Sequence, residues 1–223
     1  MKIDMRKILF CGDSLIDENV IKNTGLEWNC EYHWTSILAK ILDVPYNNTA
    51  ICGDTIANIK NNVNSRILKY DPSFVILDGG VNDCGGGASA STVKENMRAT
   101  IQNLLDNNKQ VALIWFPVAK ESWNSFSPSS DFLTLPTKYI ELANQFESKY
   151  SDSFCLLNLE GKSGLGNTGN YIKNLPQENR IDGLHFNPSG QKVITEHVLS
   201  LLSEIDDSIS TDAGVQRSRA RWT

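Results

Sequence analysis

The sequence has little from which to build a staple or a metal centre. Its five cysteines (Cys11, Cys30, Cys52, Cys84 and Cys155) are odd in number and contain no CxxC pair. Such a set suits a reducing compartment better than a disulfide framework. Only three histidines are present, His33, His185 and His197, and they form no ligand-spaced set with the cysteines, so no metal is expected. Long hydrophobic runs are missing too. The N-terminal stretch Ile8-Leu9-Phe10-Cys11 is too short for a signal-peptide core and lacks a small-residue cleavage site. No segment approaches the length of a membrane span. A cytoplasmic protein is therefore expected, with signal-independent export, for example within a virus particle, left open. An excess of positive charge is also lacking, since 21 Lys and Arg face 26 Asp and Glu, a net −5. That balance argues against a general nucleic-acid binder. The one basic cluster, Arg217, Arg219 and Arg221, reads as a solvated tail, with contact to an acidic partner as the other reading.

What is present is an ordinary globular composition, 40% hydrophobic and 21% charged over 223 residues. A single domain of this size buries roughly 70–75% of the surface its unfolded chain exposes, so it needs no covalent staple. Short apolar runs at 8–11, 49–52, 74–77, 111–116 and 154–157 are nearly continuous, as strands covered on both faces require. Between them apolar residues recur at helical spacing: Ile56, Ile59, Val63 and Ile67; then Val93, Met97, Ile101, Leu104 and Leu105. Tyr139, Leu142, Ala143 and Phe146 form a third stripe, and Ile194, Val198, Leu201, Leu202 and Ile205 a fourth. The alternation predicts an α/β sheet with helices on both sides, whose ligands bind beyond the carboxyl ends of the strands. Residues 1–205 read as one domain and 206–223 as a polar, flexible tail. Loops 118–131 and 160–180 are candidate lids or substrate walls.

Four short strings at predicted strand ends can carry chemistry. Gly12-Asp13-Ser14-Leu15 follows the first apolar run and would hold a hydroxyl at the sheet's carboxyl edge. Serine needs a base to become a nucleophile, so the string alone is equally an ordinary turn or cap. Gly53 stands before a predicted helix, where a free N–H can face a developing oxyanion; alone, it reads as a turn glycine. Asn82 offers an amide donor that does not ionise, and Asp83 is expected to fix its own loop. Near the C-terminus, Asp182 and His185 meet if their segment makes one helical turn, leaving Nε2 free to accept the serine proton. His33, beside Trp34 at the start of a predicted helix, and His197, inside the last helix, read as structural.

The strings Gly12-Asp13-Ser14-Leu15, Gly53, Gly80-Val81-Asn82-Asp83 and Asp182-Gly183-Leu184-His185 occur together in the order Ser, Gly, Asn, His. In this the sequence resembles the SGNH hydrolases, also called GDSL esterases and lipases. The resemblance implies a flavodoxin-like three-layer α/β/α sandwich with a parallel sheet of about five strands. It also implies a serine esterase, with Ser14 as nucleophile, His185 as base and Asp182 as its orienter. Ser14 N–H, Gly53 N–H and the Asn82 side chain would form the oxyanion hole, with no metal or organic cofactor. The family acts on O-acetyl sugars, lysophospholipids, thioesters and simple esters. The loops carry Trp123, Asn124, Asn167, Asn170 and Tyr171, suited to stacking on and hydrogen-bonding a sugar, and lack a long apolar stretch to cover a fatty chain. A short acyl group, acetyl above all, on a carbohydrate or similar alcohol is therefore expected. A lipid acyl hydrolase of lysophospholipase or thioesterase type is the second reading, and a glycan-binding module without turnover the third.

Overall fold

The computed structural model describes residues 1–19, 32–118, 131–169, 175–182 and 184–209. Five strands form one sheet: β1 (Ile8–Cys11), β2 (Tyr46–Asn48), β3 (Phe74–Leu77), β4 (Gln110–Trp115) and β5 (Phe154–Asn158). Their order is β2-β1-β3-β4-β5 and every pairing is parallel. Ile8 lies opposite Phe74, and Phe74 opposite Gln110, so the three central strands start level and β4 runs two residues beyond the other two. All eight residues of β1 and β3 are fully buried, which explains their unbroken apolar character.

The helices are α1 (Trp34–Leu42), α2 (Ile56–Asn61), α3 (Val63–Arg66), α4 (Val81–Gly85), α5 (Ala90–Asp106), α6 (Leu135–Tyr150) and α7 (Pro188–Ile205). On one face of the sheet α5 packs between α2 and α6, and on the other α1 packs against α7. This is the three-layer α/β/α arrangement that the sequence predicts. The predicted stripes turn inward: Val93, Met97, Ile101 and Leu104 on α5, and Ile194, Val198 and Leu202 on α7, are all fully covered. Leu201 and Ile205 are only partly buried against the core. Local chemistry sets the starts of these helices. Ser89 accepts from Thr92 N–H at the head of α5, and Asn187 accepts from Gly190 N–H ahead of Pro188 in α7.

Two expectations need correction. The second strand is Tyr46–Asn48, not 49–52. It is one of the two sheet edges, paired only with β1, and all three of its residues are only half-buried, so it needs no apolar run. The apolar residues that follow belong to a loop laid along the end of β1, with Thr49 N–H on Phe10 O at 2.9 Å and Ile51 N–H on Gly12 O at 3.1 Å. Likewise the stripe from Ile56 to Ile67 is two short helices, broken at Asn62. Residues 206–209 pack back on the domain: Asp206 is buried and accepts from Ile3 N–H at 2.6 Å, and Ile209 joins the core. Residues 210–223, with the three arginines, lie outside the described residues. No described helix is long and apolar enough to cross a membrane.

Candidate active site

The carboxyl ends of β1, β2 and β3 bring three of the four predicted strings together. After β1, the Asp13 carboxylate accepts from Leu15 N–H at 3.0 Å while its carbonyl accepts from Ile16 and Asp17 N–H. The chain is thereby wound into a tight turn that presents Ser14. A glycine stands at position 12 because of close approach: an added Cβ would meet Ile16 Cδ1 at 2.9 Å and Asp78 Cβ at 3.1 Å. The turn is tied outward by Trp34, whose indole N–H donates to Leu15 O at 3.0 Å.

The fourth string reaches the same place from the other end of the chain. Asp182 and His185 meet in a loop rather than in the helical turn that their spacing predicts. An antiparallel bridge between Arg180 and Phe186 closes the loop, and Ile181 N–H donates to His185 O at 3.0 Å. Asp182 Oδ1 accepts from Leu184 N–H at 2.7 Å and His185 N–H at 2.6 Å. Its other oxygen lies 2.9 Å from His185 Nδ1, and His185 Nε2 lies 3.0 Å from Ser14 Oγ. A carboxylate only accepts, so Nδ1 carries the ring proton and Nε2 is left to accept from the serine hydroxyl. Burial raises the Asp182 carboxyl, but the His185 ring and the two backbone N–H groups outweigh it and hold it below the usual range. The carboxylate is therefore ionised and can stabilise an imidazolium.

The N–H groups of Ser14 and Gly53 make no hydrogen bond among the described residues. Gly53 has φ +77°, which favours glycine, and open space where a side chain would stand. Asn82, in the first turn of α4, is held differently: its amide nitrogen donates to Asp54 O at 2.8 Å and to Asp13 Oδ2 at 3.1 Å. Asp83 holds its own loop through the backbone N–H groups of Gly80 and Asp83, as expected, and also reaches beyond it. Its oxygens accept from Ile56 N–H at 2.7 Å and Ala57 N–H at 3.2 Å, so it caps the neighbouring α2. His33 caps α1, its Nδ1 accepting from Thr35 N–H, and burial pushes its pKa down to about 3. His197 bonds Ser163 O at 2.8 Å, away from the serine. Among the loop residues expected to meet substrate, Asn167 is exposed, while Trp123, Asn124, Asn170 and Tyr171 lie outside the described residues.

Sequence reasoning missed three groups beneath and beside this site. Asp78, at the end of β3, is buried with neither oxygen hydrogen-bonded among the described residues. Burial, and after it the neighbouring Asp13 charge, push its carboxyl well above the ordinary range and so favour its protonated form. Asp13 itself is raised by burial to about 6. Arg180 is buried under the histidine loop, with its guanidinium on Pro117 O at 2.9 Å, Leu165 O at 2.7 Å and Leu184 O at 3.4 Å, stacked over Phe186. Arg66 pairs with Asp54 and also donates to Thr49 O. No periodicity marks these residues. The only signal is a charged residue standing beside a predicted strand end or site loop.

A parallel α/β sandwich with a hydroxyl, an imidazole and a carboxylate in line at its carboxyl edge defines a hydrolase-like protein. Residues 10–193 match the model of the GDSL-like lipase/acylhydrolase family. The chain belongs to that family and is a carboxylic ester hydrolase. Among solved structures, it is similar to TesA (17% identity, TM-score 0.65, covering 89% of this chain and 99% of that one). It is also similar to the acetyl xylan esterase AlAXEase (19%, TM-score 0.63, covering 87% and 98%). A third similar structure is a catalytic mutant of Axe2, an acetylxylan esterase from Geobacillus stearothermophilus (16%, TM-score 0.65, covering 92% and 97%). At these identities the likeness is one of fold. Comparison with curated proteins gave no match.

Proposed function

We propose that the protein is a serine esterase of short-acyl esters, acetyl above all, carried on a carbohydrate or similar alcohol. One observation supports the mechanism most directly: the unbroken Ser14–His185–Asp182 relay, at 3.0 and 2.9 Å. Ser14 Oγ attacks the ester carbonyl and its proton passes to His185 Nε2. The tetrahedral intermediate collapses, the C–O bond to the alcohol breaks, and the alcohol leaves with that proton. Water then attacks the acyl-enzyme, giving a proton to Nε2; collapse returns it to Ser14 and releases the acid. Ser14 N–H and Gly53 N–H stand ready for the oxyanion, and Asn82 joins them as its amide swings from Asp13 toward the new charge. Loss of the Asn82 amide is expected to cost about 10²–10³ in kcat.

The acetyl preference rests on the polar loops and on the two acetylxylan esterases of the same fold. Exposed Ile51 and Ile181, beside the Gly53 loop and Asp182, favour the second reading, a lipid acyl hydrolase or thioesterase, as does the likeness to TesA. A p-nitrophenyl ester series from acetate to decanoate separates them. Acetate is expected to be the best substrate, with acetate also released from acetylated glycans; a rise toward decanoate would favour the lipid reading. Equal rates for wild type and Ser14→Ala would remove the serine mechanism and leave a glycan-binding module as the remaining reading.

A further inference from the structure

The loop carrying Gly53 has no regular structure of its own, yet an oxyanion donor must be held within a fraction of an ångström. One buried ion pair ties the loop at both ends. The guanidinium of Arg66, at the C-terminal end of α3, meets Asp54 Oδ2 through one nitrogen and Thr49 O through the other. The two side chains are only 11% and 4% exposed, so water does not compete for them. Thr49 begins the loop and Asp54 directly follows Gly53. Asp54 is also fixed on its other oxygen by Thr55 N–H at 2.9 Å and Asn58 Nδ2 at 2.7 Å, and its N–H donates to Ile51 O at 3.0 Å. The Asp54 carbonyl in turn receives the Asn82 amide at 2.8 Å. Two of the three oxyanion donors therefore take their place from one residue.

We infer that Arg66 is a positioning residue for the oxyanion hole, clasping the 49–54 loop so that Gly53 N–H and the Asn82 amide face the reacting carbonyl. The role rests on the serine-esterase reading above. A planar guanidinium reaches two acceptors at fixed angles, whereas a lysine ammonium supplies the charge without the fork.

The test is steady-state kinetics of Arg66→Met and Arg66→Lys on p-nitrophenyl acetate, beside inhibition by a short alkylboronic acid. The tetrahedral boronate adduct on Ser14 puts an oxygen where the oxyanion forms. In Arg66→Met, kcat is expected to fall about 10- to 100-fold with KM within about twofold, and boronate affinity to fall by a similar factor. Lysine is expected to restore only part of either. Should Arg66→Met not fold, Asp54→Asn reads the same clasp from its other side, with the same losses expected. Values of kcat and boronate affinity within about twofold of wild type, whatever the change in Tm, would overturn the positioning role. Failure of the esterase reading is seen separately, as wild-type protein with neither Ser14-dependent turnover nor boronate binding, and the inferred role falls with it.

Discussion

At the scale of single residues, two buried titratable groups set opposite slopes of stability with pH. His33 is neutral in the folded chain, with its pKa near 3 against an ordinary 6.5. Between those values the unfolded chain holds the extra proton, so stability falls as the pH falls, by roughly 1.4 kcal/mol per pH unit. Replacing His33 with Asn keeps an acceptor for Thr35 N–H and removes the titration. Urea midpoints at pH 7.5 and 5 should therefore drop less in His33→Asn than in wild type. Asp78 works in the other direction. Its raised folded pKa means that the native state holds the extra proton, so stability is lost as pH rises toward and through that value. Asp78→Asn should flatten the decline in urea midpoint as the pH rises above the ordinary carboxyl range, because an amide has no proton to lose. An unchanged decline would show that the carboxyl has a partner after all.

At the scale of elements, the loop between Arg180 and Phe186 depends on a buried cation rather than on regular structure. Burial lowers the Arg180 pKa to about 10, against the pull of Asp182 and Glu160, so the guanidinium stays charged at neutral pH. Truncating it leaves the carbonyls of Pro117, Leu165 and Leu184 without their donor. Arg180→Met should lower stability by about 3–5 kcal/mol, read by urea denaturation, and should lower kcat as His185 loses its footing. A variant of wild-type stability would show that the Arg180–Phe186 bridge alone suffices.

The strands legible in the sequence were those covered on both faces. β1, β3, β4 and β5 begin or end within a residue or so of their apolar runs because every side chain there meets a helix or a neighbouring strand. The edge strand Tyr46-Asn47-Asn48 has polar residues and no such mark, while Ala50 and Ile51 in the next loop imitate one. Ser14, Asp182, His185, Gly53 and Asn82 could be singled out because each stands at a strand end or before a helix in a recurring string. The bonds that hold them could not. Asp83 reaches α2, Arg66 reaches back to Thr49, and the three-residue spacing that suggested a helical turn at 182–185 is met by an Asx-type loop instead. Such contacts depend on tertiary approach, which periodicity does not encode.

At the scale of the whole molecule, the fold brings residues from opposite ends of the described chain within hydrogen-bond distance. Ser14 and His185 stand 171 positions apart and meet because β1 is internal to the sheet and α7 packs against α1 on one of its faces. Trp34 joins these parts, its indole on Leu15 O and its backbone N–H on the Gln191 side chain of α7 at 3.1 Å. The Ser14 turn and the histidine loop are thereby referenced to the same helix pair.

The most direct measurement is the mass and position of the covalent adduct formed with a small fluorophosphonate ester at neutral pH. A single adduct per chain is predicted, mapped to Ser14, absent in Ser14→Ala and formed far more slowly in His185→Asn. Labelling at another residue, or labelling at Ser14 that is indifferent to His185, would contradict the reaction assigned to this site.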